Sequence, residues 1–304
     1  MAGKLGTGVD GLDRLLGGGI PSGASVLVYG HPLSGKRPLL MSFIHRGLEG
    51  REPALLVLTD HSYQDWKMMM GWSGWRLEPF EERGLVACVD ASPAAFAAKE
   101  LPPQVVRPDN PEALNALSIA ITRASEALAG KGAPRIVFSS LSTLLQKNDA
   151  PTLYRFLQFV KNKLKAMGTT VLYSLDLGMI AEKDALMIEH LMDGVIEVGE
   201  GRLRVRGFLD SATNEWVAFS MRAGKLFVGE ALKEDIWERM RRLEEKIGAV
   251  KEASMAEGLR KELKALQDEI GRIAMEERKG KGAVTKLEKK ISVLEKKAGK
   301  KAGR

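Results

Sequence analysis

Gly30-His31-Pro32-Leu33-Ser34-Gly35-Lys36-Arg37 fits the pattern G-x-x-x-x-G-K-[ST] at every fixed position but the last. In that pattern backbone N–H groups cradle phosphate oxygens, the lysine reaches the outer phosphates, and the final hydroxyl ligates Mg²⁺. Here Arg37 stands in the hydroxyl position, so the ordinary anchor for the metal is missing while Gly30, Gly35 and Lys36 are kept.

The flanks place this loop between a strand and a helix. Ser25–Tyr29 is a short β-rich apolar run, the pattern of a buried strand. Downstream, Pro38 falls in the first turn of a helix that runs through Leu39, Leu40, Phe43 and Ile44 to about Gly47. Proline is tolerated there because that turn's N–H groups have no partner inside the helix. Strand, glycine loop and helix together aim helix N-terminal N–H groups at an anion. Gly30, Ser34, Gly35, Lys36 and Arg37 are therefore the candidate phosphate-binding set.

Composition narrows the class. The chain has 304 residues, 44% hydrophobic and 28% charged, enough for one large core with an appendage. A single cysteine, Cys88, excludes an internal disulfide and reads as a small buried hydrophobe. The glycine-rich start lacks a basic region followed by an apolar core, and no apolar run is long enough for a bilayer. A cytoplasmic protein with no membrane partner is expected. The net charge of +7 sits entirely in residues 231–304, which hold 21 Lys and Arg against 14 Asp and Glu. The remainder is electrically balanced, which argues against a broad nucleic-acid face on the core.

Apolar runs at Leu55–Thr59, Leu85–Val89, Arg135–Ser139, Thr170–Ser174 and Val195–Val198 read as strands. Helical patterns lie between them near Tyr63–Gly71, Pro111–Leu128, Thr152–Met167 and Lys183–Met192. This alternation predicts a mostly parallel sheet with helices on both faces. Arg202–Leu209, Trp216–Met221 and Lys225–Val228 then read as an antiparallel edge. Beyond Gly229, apolar residues step by 4 and 3: Ile236, Met240, Leu243, Ile247 and Val250, then Leu259, Leu263, Leu266, Ile270 and Ile273, then Val284, Leu287, Ile291 and Leu294. That spacing is a coiled-coil seam, broken by glycines into two or three helical segments. The expected division is a core at 1–230, a helical segment at 231–298 and a basic disordered end at 299–304. The methionine- and tryptophan-rich stretch Lys67–Trp75 reads as the buried face of a helix and its exit loop. The four histidines, His31, His45, His61 and His190, share no metal-ligand spacing.

The lead-in from Thr7 to Gly23, TGVDGLDRLLGGGIPSG, resembles the opening of the KaiC and RadA branch of RecA-like ATPases. Gly71-Trp72, Val89-Asp90-Ala91-Ser92-Pro93, Asp193-Gly194-Val195-Ile196 and Arg204-Val205-Arg206-Gly207 follow in that branch's order, so the resemblance covers about residues 5–229. It implies an α/β RecA-like core that assembles into rings with ATP at subunit interfaces. It also implies that Arg204 and Arg206 reach the neighbouring subunit's nucleotide. They share one face of a strand, which permits this, and a charged edge strand that discourages pairing fits them equally well.

Three positions depart from the family's catalytic pattern: Arg37; Ser139, where the Walker-B aspartate belongs; and Asp60-His61, where water-positioning glutamates belong. Asp60 remains the one candidate catalytic residue, one methylene shorter than a glutamate. The losses remove the metal's usual anchors together, and no metal ligand is assigned. Lys36 and Arg37 side by side can replace part of the metal's charge, if Arg37 faces the site instead of pairing on its own helix. The expected ligand is ATP or ADP, bound without Mg²⁺. The leading reading is a KaiC-like pseudo-ATPase: a regulatory or scaffold subunit that self-associates or docks on a related RecA-like ATPase, with its helical tail recruiting a protein partner. A working ATPase with relocated metal ligands is the alternative. A recombinase-like DNA-binding accessory protein is the third reading, although the tail's mixed charges suit a solvated helical surface better.

Overall fold

The computed structural model describes residues 3–98, 100–208, 214–228, 243, 247, 257–266 and 289–297. The chain opens with β1 (Lys4–Leu5), α1 (Asp10–Leu15) and β2 (Ile20–Pro21), the two short strands pairing antiparallel. The main sheet begins at β3 (Ser25–Gly30), followed by α2 (Lys36–Glu49), β4 (Ala54–Leu58), α3 (Tyr63–Trp72), α4 (Glu78–Glu81), β5 (Val86–Asp90) and α5 (Pro93–Ala97). Next come β6 (Val105–Val106), α6 (Leu114–Glu126), β7 (Arg135–Phe138), α7 (Leu141–Leu145), α8 (Ala150–Ala166) and β8 (Thr170–Asp176). Helix α9 (Glu182–His190) and strands β9 (Gly194–Val198), β10 (Arg202–Arg206), β11 (Val217–Arg222) and β12 (Lys225–Val228) complete the core.

The ten strands of the sheet lie in the order β12-β11-β10-β9-β3-β8-β7-β4-β5-β6. Every neighbouring pair from β9 to β6 is parallel, and β10, β11 and β12 add on antiparallel. The parallel strands are buried on both faces, which is why they read as unbroken apolar runs. Alternate residues feed two cores. Val26, Val28, Leu56 and Leu58 pack with Leu39, Phe43 and Trp66 on one face, while Leu27, Leu55, Val57 and Phe138 pack with Ile121, Leu157 and Ile188 on the other. The sheet is thus sandwiched by helices, as the alternating pattern predicts.

Several element ends differ from the sequence-based expectation, β10 among them, which ends at Arg206 and not Leu209, and three of the others have local reasons. Helix α6 starts at Leu114, not Pro111, because Asn110 Oδ1 accepts the Glu112 N–H at 2.9 Å and holds a turn there. Helix α8 starts at Ala150 because Asp149 caps it, accepting the Thr152 N–H at 2.7 Å. Strand β8 runs two residues past Ser174, its register with β3 continuing to the pair Gly30 and Asp176. The last extension brings a carboxylate to the phosphate loop.

The chain divides into two compact units, Met1–Gly229 and Glu230–Arg304. In the second unit, residues 257–266 and 289–297 are helical, with Leu259, Leu263, Leu266, Ile291 and Leu294 buried. Lys297 Nζ meets Glu262 Oε2 at 2.8 Å, joining the two segments. The expected seam residues Ile236, Met240, Val250, Ile270, Ile273, Val284 and Leu287, the basic end at 299–304, and Leu209 at the expected end of β10 lie outside the described residues. Among those described, no helix is long and apolar enough to cross a membrane.

Candidate functional site

The phosphate loop hangs between the end of β3 and the start of α2 at the centre of the sheet. Gly30 must be glycine: a Cβ there would lie 2.0 Å from the Val198 carbonyl oxygen of β9. Gly35 caps α2 at φ 106°, a left-handed conformation that costs glycine little. No side chain caps this helix and its first turn holds no acidic residue, so its N–H groups stay free to meet an anion. Ser34 Oγ is buried with no hydrogen-bond partner among the described residues. An orphaned hydroxyl in this loop fits a phosphate oxygen.

Lys36 is 5% exposed, and its ammonium has three acceptors: the carbonyl oxygens of Gly30 at 2.8 Å and His31 at 2.6 Å, and Asp176 Oδ1 at 2.8 Å. A lysine has three donors, so all are committed. Burial, aided by the charge of Arg37, pulls its pKa down, and the bond and charge of Asp176 oppose that shift. Asp176 itself is fixed at its backbone, where its N–H donates to Ser142 Oγ at 2.7 Å.

The three departures from the family pattern meet at Asp60. Arg37 Nη2 lies 3.5 Å from Asp60 Oδ2 and 3.4 Å from His61 Nδ1. Ser139 Oγ donates to Asp60 Oδ1 while accepting the Thr59 N–H at 3.1 Å. His61 Nδ1 is also 2.9 Å from Asp60 Oδ2. Burial alone would raise the Asp60 pKa, but the bonds from Ser139 and His61, with the charges of His61 and Arg37, outweigh it and hold the carboxyl below its ordinary value. Asp60 is therefore an anion engaged from both sides. Among the described residues no three or more His, Cys, Asp and Glu side chains gather as a metal site would require.

These groups line a cavity of about 250 Å³. Its polar lining comes from Lys36, Arg37, Asp60, Ser139, Ser174 and Asp176, and its apolar wall from Pro38, Met41, Met69, Trp72 and Met221. Here the reading of Lys67–Trp75 as a buried face needs correction. Trp66, Met70 and Trp75 are buried, but Trp72 is 70% exposed and Met68 51% exposed. Trp72 ends α3 and lines the cavity.

Arg204 and Arg206 are not among the residues lining this cavity. Arg204 Nε bonds Glu197 Oε2 at 2.5 Å and its guanidinium lies 4.7 Å from the Trp216 ring centroid. Arg206 forms a two-pronged pair with Glu189, both bonds 3.0 Å, and reaches the Tyr29 hydroxyl. Asp193, in the DGVI segment, accepts the Ser25 N–H at 2.8 Å and so ties β9 to the strand that carries the loop. Sequence reasoning missed the apolar wall and the pairing of Lys36 with Asp176. The signal for the second was that the apolar run Thr170–Ser174 ends beside Asp176.

The family model described as "ATPase: KaiC" matches residues 5–207. A UPF0273 protein of Methanopyrus kandleri is 33% identical over 211 residues, covering 66% of this chain and 79% of the relative. The circadian clock oscillator protein KaiC of Prochlorococcus marinus is 29% identical over 171 residues, 55% of this chain and 32% of that longer protein. The crystal structure of a KaiC-like protein from Pyrococcus horikoshii superposes with a TM-score of 0.61 at 23% identity, over 75% of this chain and 99% of that one, a likeness of fold. Phosphate loop, parallel sheet and matched family model agree: the chain belongs to the KaiC ATPase family and carries its RecA-fold nucleotide-binding domain.

Proposed function

We propose that this protein binds ATP or ADP without Mg²⁺, does not turn it over efficiently, and serves as a regulatory or scaffold member of its family. One observation carries this: Arg37 and Ser139 both bond to Asp60, one at each carboxylate oxygen. In the family pattern these positions supply the metal's hydroxyl ligand, the water-positioning acid and the metal's outer carboxylate. Here they form one polar cluster centred on Asp60. Phosphoryl transfer rests on positioning and on neutralising charge, chiefly by the metal. Such a cluster removes both contributions while keeping a cation in place.

The loop residues fit a phosphate chain, and the residues around it do not supply the usual metal anchors. Backbone N–H groups at the start of α2, Ser34 Oγ and Lys36 would hold the phosphates, with Arg37 adding charge if it turns from Asp60. The apolar wall suits the flat face of a base, and Trp72 offers a ring to stack on it. The family resemblance supports self-association or docking on a related RecA-like ATPase, and the helical segments beyond residue 229 provide a surface for a protein partner.

The test is single-turnover ATP hydrolysis by the full chain beside Lys36→Ala. The expected result is the same negligible rate for both. Turnover that the substitution abolishes would overturn the proposal in favour of an active ATPase with relocated ligands.

A further inference from the structure

Lys36 spends its three donors on unequal acceptors. The carbonyl oxygens of Gly30 and His31 belong to the loop backbone, and Gly30 O also accepts the Leu177 N–H at 3.0 Å. Neither can leave without unmaking the cradle. The third acceptor, Asp176 Oδ1, belongs to a side chain that is 22% exposed. Its backbone is pinned by the β3 register and by Ser142, so the carboxylate departs by rotating its own side-chain bonds, with no strand movement. Of everything that touches Lys36, this group alone is exchangeable.

We propose that Asp176 is a specificity-determining residue: an internal anion that occupies Lys36 until the ligand's β-phosphate takes its place. The proposal rests on the nucleotide-binding reading above. Its logic is competition between anions for one ammonium. Lys36 and Asp176 balance in charge, as do Arg37 and Asp60, so the resting cradle is neutral. A monophosphate held by the loop N–H groups and the apolar wall leaves the Lys36 pair intact. A diphosphate, whose outer phosphate the loop lysine reaches, must first displace the carboxylate and then sit beside it. Asp176 therefore weakens diphosphates selectively and narrows the preference for ADP over AMP. A carboxylate that merely stabilised the loop would act on both nucleotides alike.

The experiment is equilibrium titration of the full chain with ADP and with AMP, both in EDTA, for the wild type, Asp176→Asn and Asp176→Glu. Removing a charged competitor from a charge-assisted bond should tighten ADP about tenfold in Asp176→Asn and move AMP less than about twofold. Asp176→Glu should keep the wild-type ratio. Asp176→Ala replaces the asparagine variant if circular dichroism shows that variant misfolded. An ADP-to-AMP ratio unchanged by removing the carboxylate, while the wild type binds ADP in a Lys36-dependent manner, overturns the role of Asp176 and leaves the nucleotide site standing. Absence of binding of either nucleotide to every variant overturns both.

Discussion

Arg37 Nη2 and Asp60 Oδ2 stand 3.5 Å apart across the mouth of the phosphate loop, joining a position that ordinarily holds a metal-binding hydroxyl to one that ordinarily positions water. Through Asp60 the pair extends to Ser139, which takes the place of an aspartate. Changes at sequence-distant positions that end in mutual hydrogen bonds are a coherent replacement of one polar site by another. The network is only partly buried, with Arg37 35% and Asp60 21% exposed, and Asp60 is its shared acceptor.

Restoring the family pattern should restore the metal. The double variant Arg37→Thr with Ser139→Asp supplies a hydroxyl and a carboxylate on the two sides of the metal's ordinary place. Its ATP affinity is expected to rise about tenfold or more when Mg²⁺ replaces EDTA, as read by titration calorimetry, whereas the wild type shows no metal dependence. Equal metal dependence in both proteins would refute the assignment of these positions.

Asp60 should leave a signature in acid. Its folded-state pKa lies below its ordinary value of 3.8, so its contribution to stability is complete above that value and is lost as pH falls through the lower, folded-state one. Asp60→Asn should remove this part of the acid limb and leave Ser139 and Arg37 without their shared anion, costing about 1–3 kcal/mol near neutral pH. Urea unfolding of both proteins across the acid range checks it. Parallel stability curves for the two would contradict the sign.

Gly30→Ala tests how tightly the loop is seated. The added methyl meets the Val198 carbonyl oxygen at 2.0 Å, a backbone atom that cannot swing aside. Overpacking of this kind costs about 1–3 kcal/mol, and chemical denaturation should show it together with loss of nucleotide binding. A variant as stable as the wild type would mean that β3 and β9 are spaced more loosely at this point.

Cys88 offers a clean reporter. It is fully buried in β5, and burial pushes its thiol pKa well above the ordinary value. A thiol reagent should leave the native chain untouched and label it stoichiometrically in denaturant. Rapid labelling of the native protein would show that this core opens.

Much of this was legible in the sequence because parallel strands buried on both faces announce themselves as apolar runs, and the phosphate loop fixes where strand gives way to helix. The departures at Arg37, Asp60 and Ser139 were visible as residues, but their contact was not: it depends on β4 lying beside β7, a pairing between segments some 80 residues apart. The pairing of Asp176 with Lys36 escaped for a related reason. The apolar run ends near Ser174, and only the register with Gly30 carries the strand on to the carboxylate. Trp72 was legible as a residue but not as cavity wall, which it shares with Met221 of the sequence-distant β11–β12 hairpin.

Titration calorimetry of the full chain with ATP, in EDTA and in Mg²⁺, against Lys36→Ala, tests the central claim most directly. The account predicts binding of equal strength in the two conditions that disappears in the variant. Binding only with Mg²⁺, or binding that survives the loss of Lys36, would contradict it.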